Sequence, residues 1–108
     1  MTRKERIEET LNAGLRHAEY KAFLPWNQVK EDWRNLSIAN IMNGLENEYF
    51  ELKIAIDNLM DIYNKLNEKD FKKKRRDLIA NALGEVGDVI NYAAMIADFI
   101  EFHYQNEL

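Results

Sequence analysis

Apolar residues recur at helical spacing along almost the whole chain. Ile7, Leu11, Leu15, Ala18 and Ala22 step by three or four and predict a first helix over about residues 3–22. Pro25 disfavours helix at Leu24 and closes it. A connector from Pro25 to Trp33 carries Trp26 and Trp33 and has room for a short helix. Ser37 is suited to cap a second helix running to about Asn67. Its inner stripe is Ile38, Ile41, Leu45, Leu52, Ile56, Leu59, Ile62 or Tyr63, and Leu66. Asn67-Glu68-Lys69-Asp70 reads as a turn, with Asp70 capping a third helix from about Phe71 to Gln105. Leu78, Ala82, Val86, Val89, Ala93, Ile96 and Ile100 form the inner face of that helix. No strand-like alternation and no Asn-Gly or Asp-Gly hairpin signal interrupts the pattern. The fold expected is all-α, an antiparallel helical bundle of three to five helices, with residues 1–108 as one domain.

Size changes this picture. A chain of 108 residues with 46% hydrophobic residues can build a core, but three helices with wide apolar faces cannot cover one another fully. Completion by oligomerisation is expected, as a homodimer or homotetramer. With no cysteine, disulfides and thiolate metal sites are excluded, and His17 and His103 have no zinc-type spacing. A net charge of −4 makes nucleic acid an unlikely partner on charge grounds. No apolar run is long enough for a membrane span, and the N-terminus has no signal-peptide core, so a soluble cytoplasmic protein is expected.

The chemistry lies in two acidic pairs that break the apolar stripes. Glu48 and Glu51 are three apart, as are Glu85 and Asp88, so each pair shares one side of its helix. Glu48 interrupts the stripe between Leu45 and Leu52, and Glu85 stands between Ala82 and Val89. Surface acids such as Glu8, Glu9, Asp57 and Asp61 have no such setting. Gly44 precedes Glu48 by one turn, and Gly84 and Gly87 flank Glu85. Glycine inside a helix costs about 1 kcal/mol relative to alanine, so three beside the acids imply tight helix approach or room for a ligand. Converging carboxylates on an inner face are costly unless a cation holds them. Hard oxygen donors suit Mg²⁺, with Mn²⁺ as the alternative. The competing reading is that all four are solvated acids on charged helices.

Other features admit two readings each. Lys72-Lys73-Lys74-Arg75-Arg76 opposes the macrodipole at the start of the third helix. It is either a solvated face or, through Lys72, a phosphate contact. Trp26 and Trp33 are core or interface anchors, or base-stacking rings, and Trp33 is better placed for stacking. His17 reads as a polar helix-face residue and His103 as packing.

Glu48-Tyr49-Phe50-Glu51-Leu52 followed by Gly84-Glu85-Val86-Gly87-Asp88-Val89-Ile90-Asn91-Tyr92 resembles the paired motifs of the MazG-like all-alpha NTP pyrophosphohydrolases. That superfamily includes MazG, the dimeric dUTPases, dCTP pyrophosphatases and phosphoribosyl-ATP pyrophosphatase. The likeness covers about residues 36–100. Here 33 residues separate Glu51 from Glu85, more than in compact members, and Gly84 stands where many members carry an acid. The resemblance implies Mg²⁺ held by Glu48, Glu51, Glu85 and Asp88. It implies cleavage of a nucleoside triphosphate between its α and β phosphates, giving monophosphate and pyrophosphate. One carboxylate not fully committed to metal would take the proton of the attacking water, with Glu48 the first candidate. Asn91 or Tyr92, one turn beyond Asp88, would contact phosphate. From another class, the alternative is a non-catalytic dimeric helical-bundle protein with an interaction or regulatory role.

Overall fold

The computed structural model describes residues 1–24, 27, 32–63 and 72–107. Three long helices carry the fold: α1 (Arg3–Ala22), α2 (Ile38–Tyr63) and α3 (Lys72–His103). Short 3-10 turns at Trp33–Asn35 and Gln105–Glu107 complete the described elements, and no strand occurs among them.

The helix boundaries follow from their caps. Thr2 opens α1 through a capping box: its hydroxyl accepts from the Glu5 amide at 3.1 Å, and the Glu5 carboxylate accepts from the Thr2 amide at 3.4 Å. At the other end, the Asn27 side chain donates to the Lys21 carbonyl at 2.6 Å, satisfying one of the last open carbonyls. Ser37 caps α2 as expected, its hydroxyl accepting from the Asn40 amide at 3.2 Å. The expected turn over Asn67–Asp70, the Asp70 cap, and Leu66, Phe71, Pro25 and Trp26 lie outside the described residues.

α3 is the spine, and α1 and α2 both lie along it. Each runs antiparallel to it. On one side Gly14 meets Ile90, and Lys21 meets Gly84 and Asp88; on the other Gly44 meets Tyr92. The α1 seam is made by Gly14, His17, Ala18 and Lys21, a face at the i, i+3, i+4, i+7 spacing of a helix side. Gly87 explains how close these helices come. A Cβ there would stand 2.7 Å from the His17 carbonyl carbon and 3.1 Å from the Ala18 amide nitrogen, both backbone atoms. Asn91 then ties the seam by donating to the Ala18 carbonyl at 2.8 Å.

The apolar stripe that marks α1 as a helix is not the face that meets α3. Ala18 is buried, but Ile7, Leu11 and Leu15 are exposed, Leu11 by 62%. The face that meets α3 is turned by roughly 60–70° from that stripe, at about 100° per residue. At Gly87 the backbone of His17 and Ala18 comes close to α3, and the larger apolar residues of α1 are left facing outward. Ile38, Ile56 and Ile100, assigned to inner faces by periodicity, are also exposed; for Ile38 and Ile56 the reason is that α2 packs chiefly against α3.

Among the described residues, the fully buried apolar set is Ala18, Ile41, Ala55 and Ala82, and only Ile41 is large. The radius of gyration is 16.9 Å, against about 13 Å for a compact domain of this length. The body is elongated, 58 × 36 × 23 Å, and hides little of its own apolar surface.

Candidate functional site

The acids converge where the two seams on α3 come level. α2 supplies Glu48 and Glu51, and α3 supplies Glu85 and Asp88. One carboxylate oxygen from each of Glu48, Glu85 and Asp88 lies within 4.8 Å of the other two. All three residues are half-buried. Glu51 stands exposed at the rim, yet near enough to hydrogen-bond both Glu48 and Glu85. The two i, i+3 pairs therefore do face one another across the α2–α3 seam.

Their electrostatics are those of acids short of positive charge. Glu48 is pushed up to about 7, first by burial, then by its hydrogen bond with Glu51 and the charges of Asp88, Glu51 and Glu85. Glu85 is raised too, by burial first and then by the Glu51 and Asp88 charges. Lys21 offsets part of this from α1, its ammonium 3.2 Å from Asp88 Oδ2. Glu48 Oε2 and Glu85 Oε2 remain buried without any hydrogen-bond partner. Such orphaned acceptors are rare in native interiors, and each calls for a donor or a cation.

Glu48 and Asp88 line a cleft of about 1090 Å³. Tyr92 lines it with its ring laid on Gly44; a Cβ at Gly44 would stand 2.7 Å from the ring's Cζ. Burial, followed by the charges of Glu48, Asp88 and Glu51, raises the Tyr92 phenol, so its hydroxyl stays protonated and can donate.

At the far end of the cleft the 3-10 turn is latched to α3. Asp98 accepts from Trp33 Nε1 at 2.7 Å, and from Arg34 Nε and Nη2 at 2.9 Å each. These donors hold its carboxyl down at about 2, the Arg34 hydrogen bond first. Arg34 lies over the Phe102 ring at 4.4 Å, and His103 Nε2 meets the Arg34 carbonyl at 3.2 Å. His103 also packs on Phe99, in line with its expected packing role.

The sequence-based candidates divide accordingly. Glu48, Asp88, Asn91, Tyr92 and Trp33 all line the cleft, while Glu51 and Glu85 join through the acid cluster. Asn91 has already committed its amide donor to Ala18, so it fastens α1 as much as it faces the cleft. Lys72 is not brought to this site: it is exposed at the start of α3, about 20 Å from Glu85 along the helix at 1.5 Å per residue. The glycines resolve as well: Gly87 and Gly44 permit close approach, and Gly84 leaves passage for the Lys21 stem at 3.7 Å.

Sequence reasoning missed Lys21, Arg34 and Asp98. Lys21 looks like an ordinary basic residue at a helix end, and Asp98 like one of many surface acids. No spacing rule links either to its partner across the chain. No protein-family model, curated protein or solved structure matches the chain.

Proposed function

We propose that this protein is a Mg²⁺-dependent nucleoside triphosphate pyrophosphohydrolase with a MazG-like all-alpha fold. One observation carries the reading. Carboxylate oxygens from two helices converge within 4.8 Å at the wall of a cleft, and two of these acids keep buried oxygens with no partner. A purely structural polar network would satisfy its members, because an unsatisfied buried one is costly. This favours a cation site over the non-catalytic interaction module.

The residues fit a hard divalent ion. Glu48, Glu51, Glu85 and Asp88 would hold Mg²⁺, with Mn²⁺ the alternative. When bound, the ion neutralises phosphate charge and acidifies water. Glu48 is the first candidate to accept the water's proton, because it is half-buried beside the other acids and lines the cleft. The Tyr92 hydroxyl can donate to a phosphate oxygen in the cleft. Trp33, fixed by its bond to Asp98, offers a ring at the opposite end for the base. Water adds across the α–β phosphoanhydride, giving monophosphate and pyrophosphate.

The reading includes self-association in the cytoplasm, as a homodimer or homotetramer. Ile7, Leu11 and Leu15 on α1 and Phe50 and Ile54 on α2 are exposed, Ile54 by 60%. Exposed large apolar residues in such number on a small chain favour an interaction surface. No described helix is long and apolar enough to cross a membrane.

The test is direct. Incubation with a panel of ribo- and deoxynucleoside triphosphates and Mg²⁺ should release pyrophosphate and monophosphate in equal amounts from at least one. Turnover of none of them, or release of orthophosphate alone, would contradict the proposal.

A further inference from the structure

Lys21 reaches the acids from a third helix. Its Nζ lies 3.2 Å from Asp88 Oδ2, and its stem crosses Gly84 at 3.7 Å from where a Cβ would stand. Its backbone is fixed, because its carbonyl accepts from both the Asn27 side chain and the Leu24 amide. The flexible stem beyond that anchor carries the ammonium to Asp88. It also lines the same cleft as Glu48, Asp88 and Tyr92.

Charge balance shows what the pair does and does not accomplish. One ammonium faces four carboxyls. It eases the repulsion at Glu85, yet Glu48 and Glu85 each keep an orphaned oxygen. Lys21 therefore compensates the cluster only in part. Its pair with Asp88 is also open to exchange, with side chains 23% and 20% exposed. Lysine offers a single hydrated point charge on a flexible stem, unlike the forked guanidinium that grips Asp98.

We propose that Lys21 is an exchangeable counter-ion: it holds Asp88 while the cluster lacks a divalent cation, and yields Asp88 when the cation binds. Its ammonium is then free in the cleft for an anionic phosphate oxygen. This rests on the divalent-cation reading above and assigns Lys21 a positioning role toward the polyphosphate.

Calorimetric titration of Mn²⁺ into wild type, Lys21→Met and Lys21→Arg tests it. Removing the competing charge should tighten Mn²⁺ binding about five-fold in Lys21→Met, the scale of one partly screened ion pair. Lys21→Arg, whose fork can grip Asp88, should bind Mn²⁺ no more tightly than wild type. Inorganic tripolyphosphate, added at saturating Mn²⁺, should bind about ten-fold more weakly to Lys21→Met, as expected for loss of one charge-assisted contact. Lys21→Gln provides the same comparison if the methionine variant does not fold. Mn²⁺ bound equally by wild type and Lys21→Met would overturn the exchange and leave the metal-site reading intact. No Mn²⁺ binding by wild type would overturn both. Equal tripolyphosphate affinity in the two proteins would overturn the phosphate-facing role.

Discussion

Asp98 and the acid cluster built around Asp88 share α3 and one cleft, and they are in opposite conditions. Asp98 accepts three charge-assisted or indole hydrogen bonds and is held down at about 2. The cluster at Glu48, Glu85 and Asp88 has one ammonium, two orphaned oxygens and a glutamate pushed up to about 7. The difference lies in burial and in donors: Glu48 is raised by burial first, while Asp98 is open to solvent and held by Arg34 and Trp33. A carboxylate with a full set of donors is a fastening, and here it fastens the 3-10 turn to α3. Carboxylates that converge without donors are destabilising by themselves and gain from a cation. α3 thus carries a finished structural contact and, together with α2, a cluster of acids with two oxygens lacking a hydrogen-bond partner.

The largest effect should come from removing acids at the unsatisfied end. Glu85→Gln or Asp88→Asn should lower kcat/KM by more than about 100-fold, since even residues that merely support metal ligands cost 10–100-fold. Steady-state kinetics on the preferred triphosphate measures this. Full activity in either variant would remove the proposed site and with it the contrast between the two ends.

Gly87→Ala should come next. The added methyl would meet the His17 carbonyl group, which is backbone and cannot rotate away. Parting α1 from α3 should cost about 1–3 kcal/mol. Thermal melts should register the loss, and displacement of Lys21 from Asp88 should accompany it. Gly84→Ala, with only ordinary contact to the Lys21 stem, should be far milder.

The pH dependence should have opposite signs at the two ends. Glu48 is raised in the folded state, so its proton is bound more tightly there than in the unfolded chain. Its contribution to stability is complete below about pH 4.5 and is lost as pH rises through about 7. The metal-free melting temperature should therefore fall across that window, and Mg²⁺ should abolish the fall. Asp98 is depressed, so its contribution is present above about pH 3.8 and disappears as pH falls through about 2. A metal-free melting curve that is flat between pH 4.5 and 7 would break the contrast.

Asp98→Asn should give the smallest change. The latch is solvent-exposed, and exposed ion pairs contribute little to stability. It should raise KM more than it lowers kcat, because Trp33 loses its anchor while the acids are untouched. A kcat loss as large as that of Asp88→Asn would erase the distinction between the two ends.

Much of the fold was legible because helices announce themselves by period and cap. The α1 limits at residues 3 and 22 and the Ser37 cap follow from apolar spacing and a capping hydroxyl, both local signals. The acid pairs were legible for a related reason: Glu48 and Glu85 stand where periodicity demands apolar residues. Rotation about a helix axis was not legible. The stripe Ile7, Leu11, Leu15 suggests one face for α1, but the face that meets α3 is that of Gly14, His17, Ala18 and Lys21. Periodicity finds the most apolar face, and in a chain with too few helices that face can belong to another molecule. Lys21 and Asp98 were invisible because each acquires its role only from a partner more than sixty residues away. Lys72 stood out as part of a charge run, a signal that says nothing of its distance from the acids along α3.

The most direct measurement is Mn²⁺ binding followed by electron paramagnetic resonance. Wild type and Asp98→Asn should each quench the free Mn²⁺ signal, and Glu85→Gln and Asp88→Asn should not. Retained binding in both acid-cluster variants, or none in wild type, would contradict the claim that the unsatisfied carboxylates are a divalent-cation site.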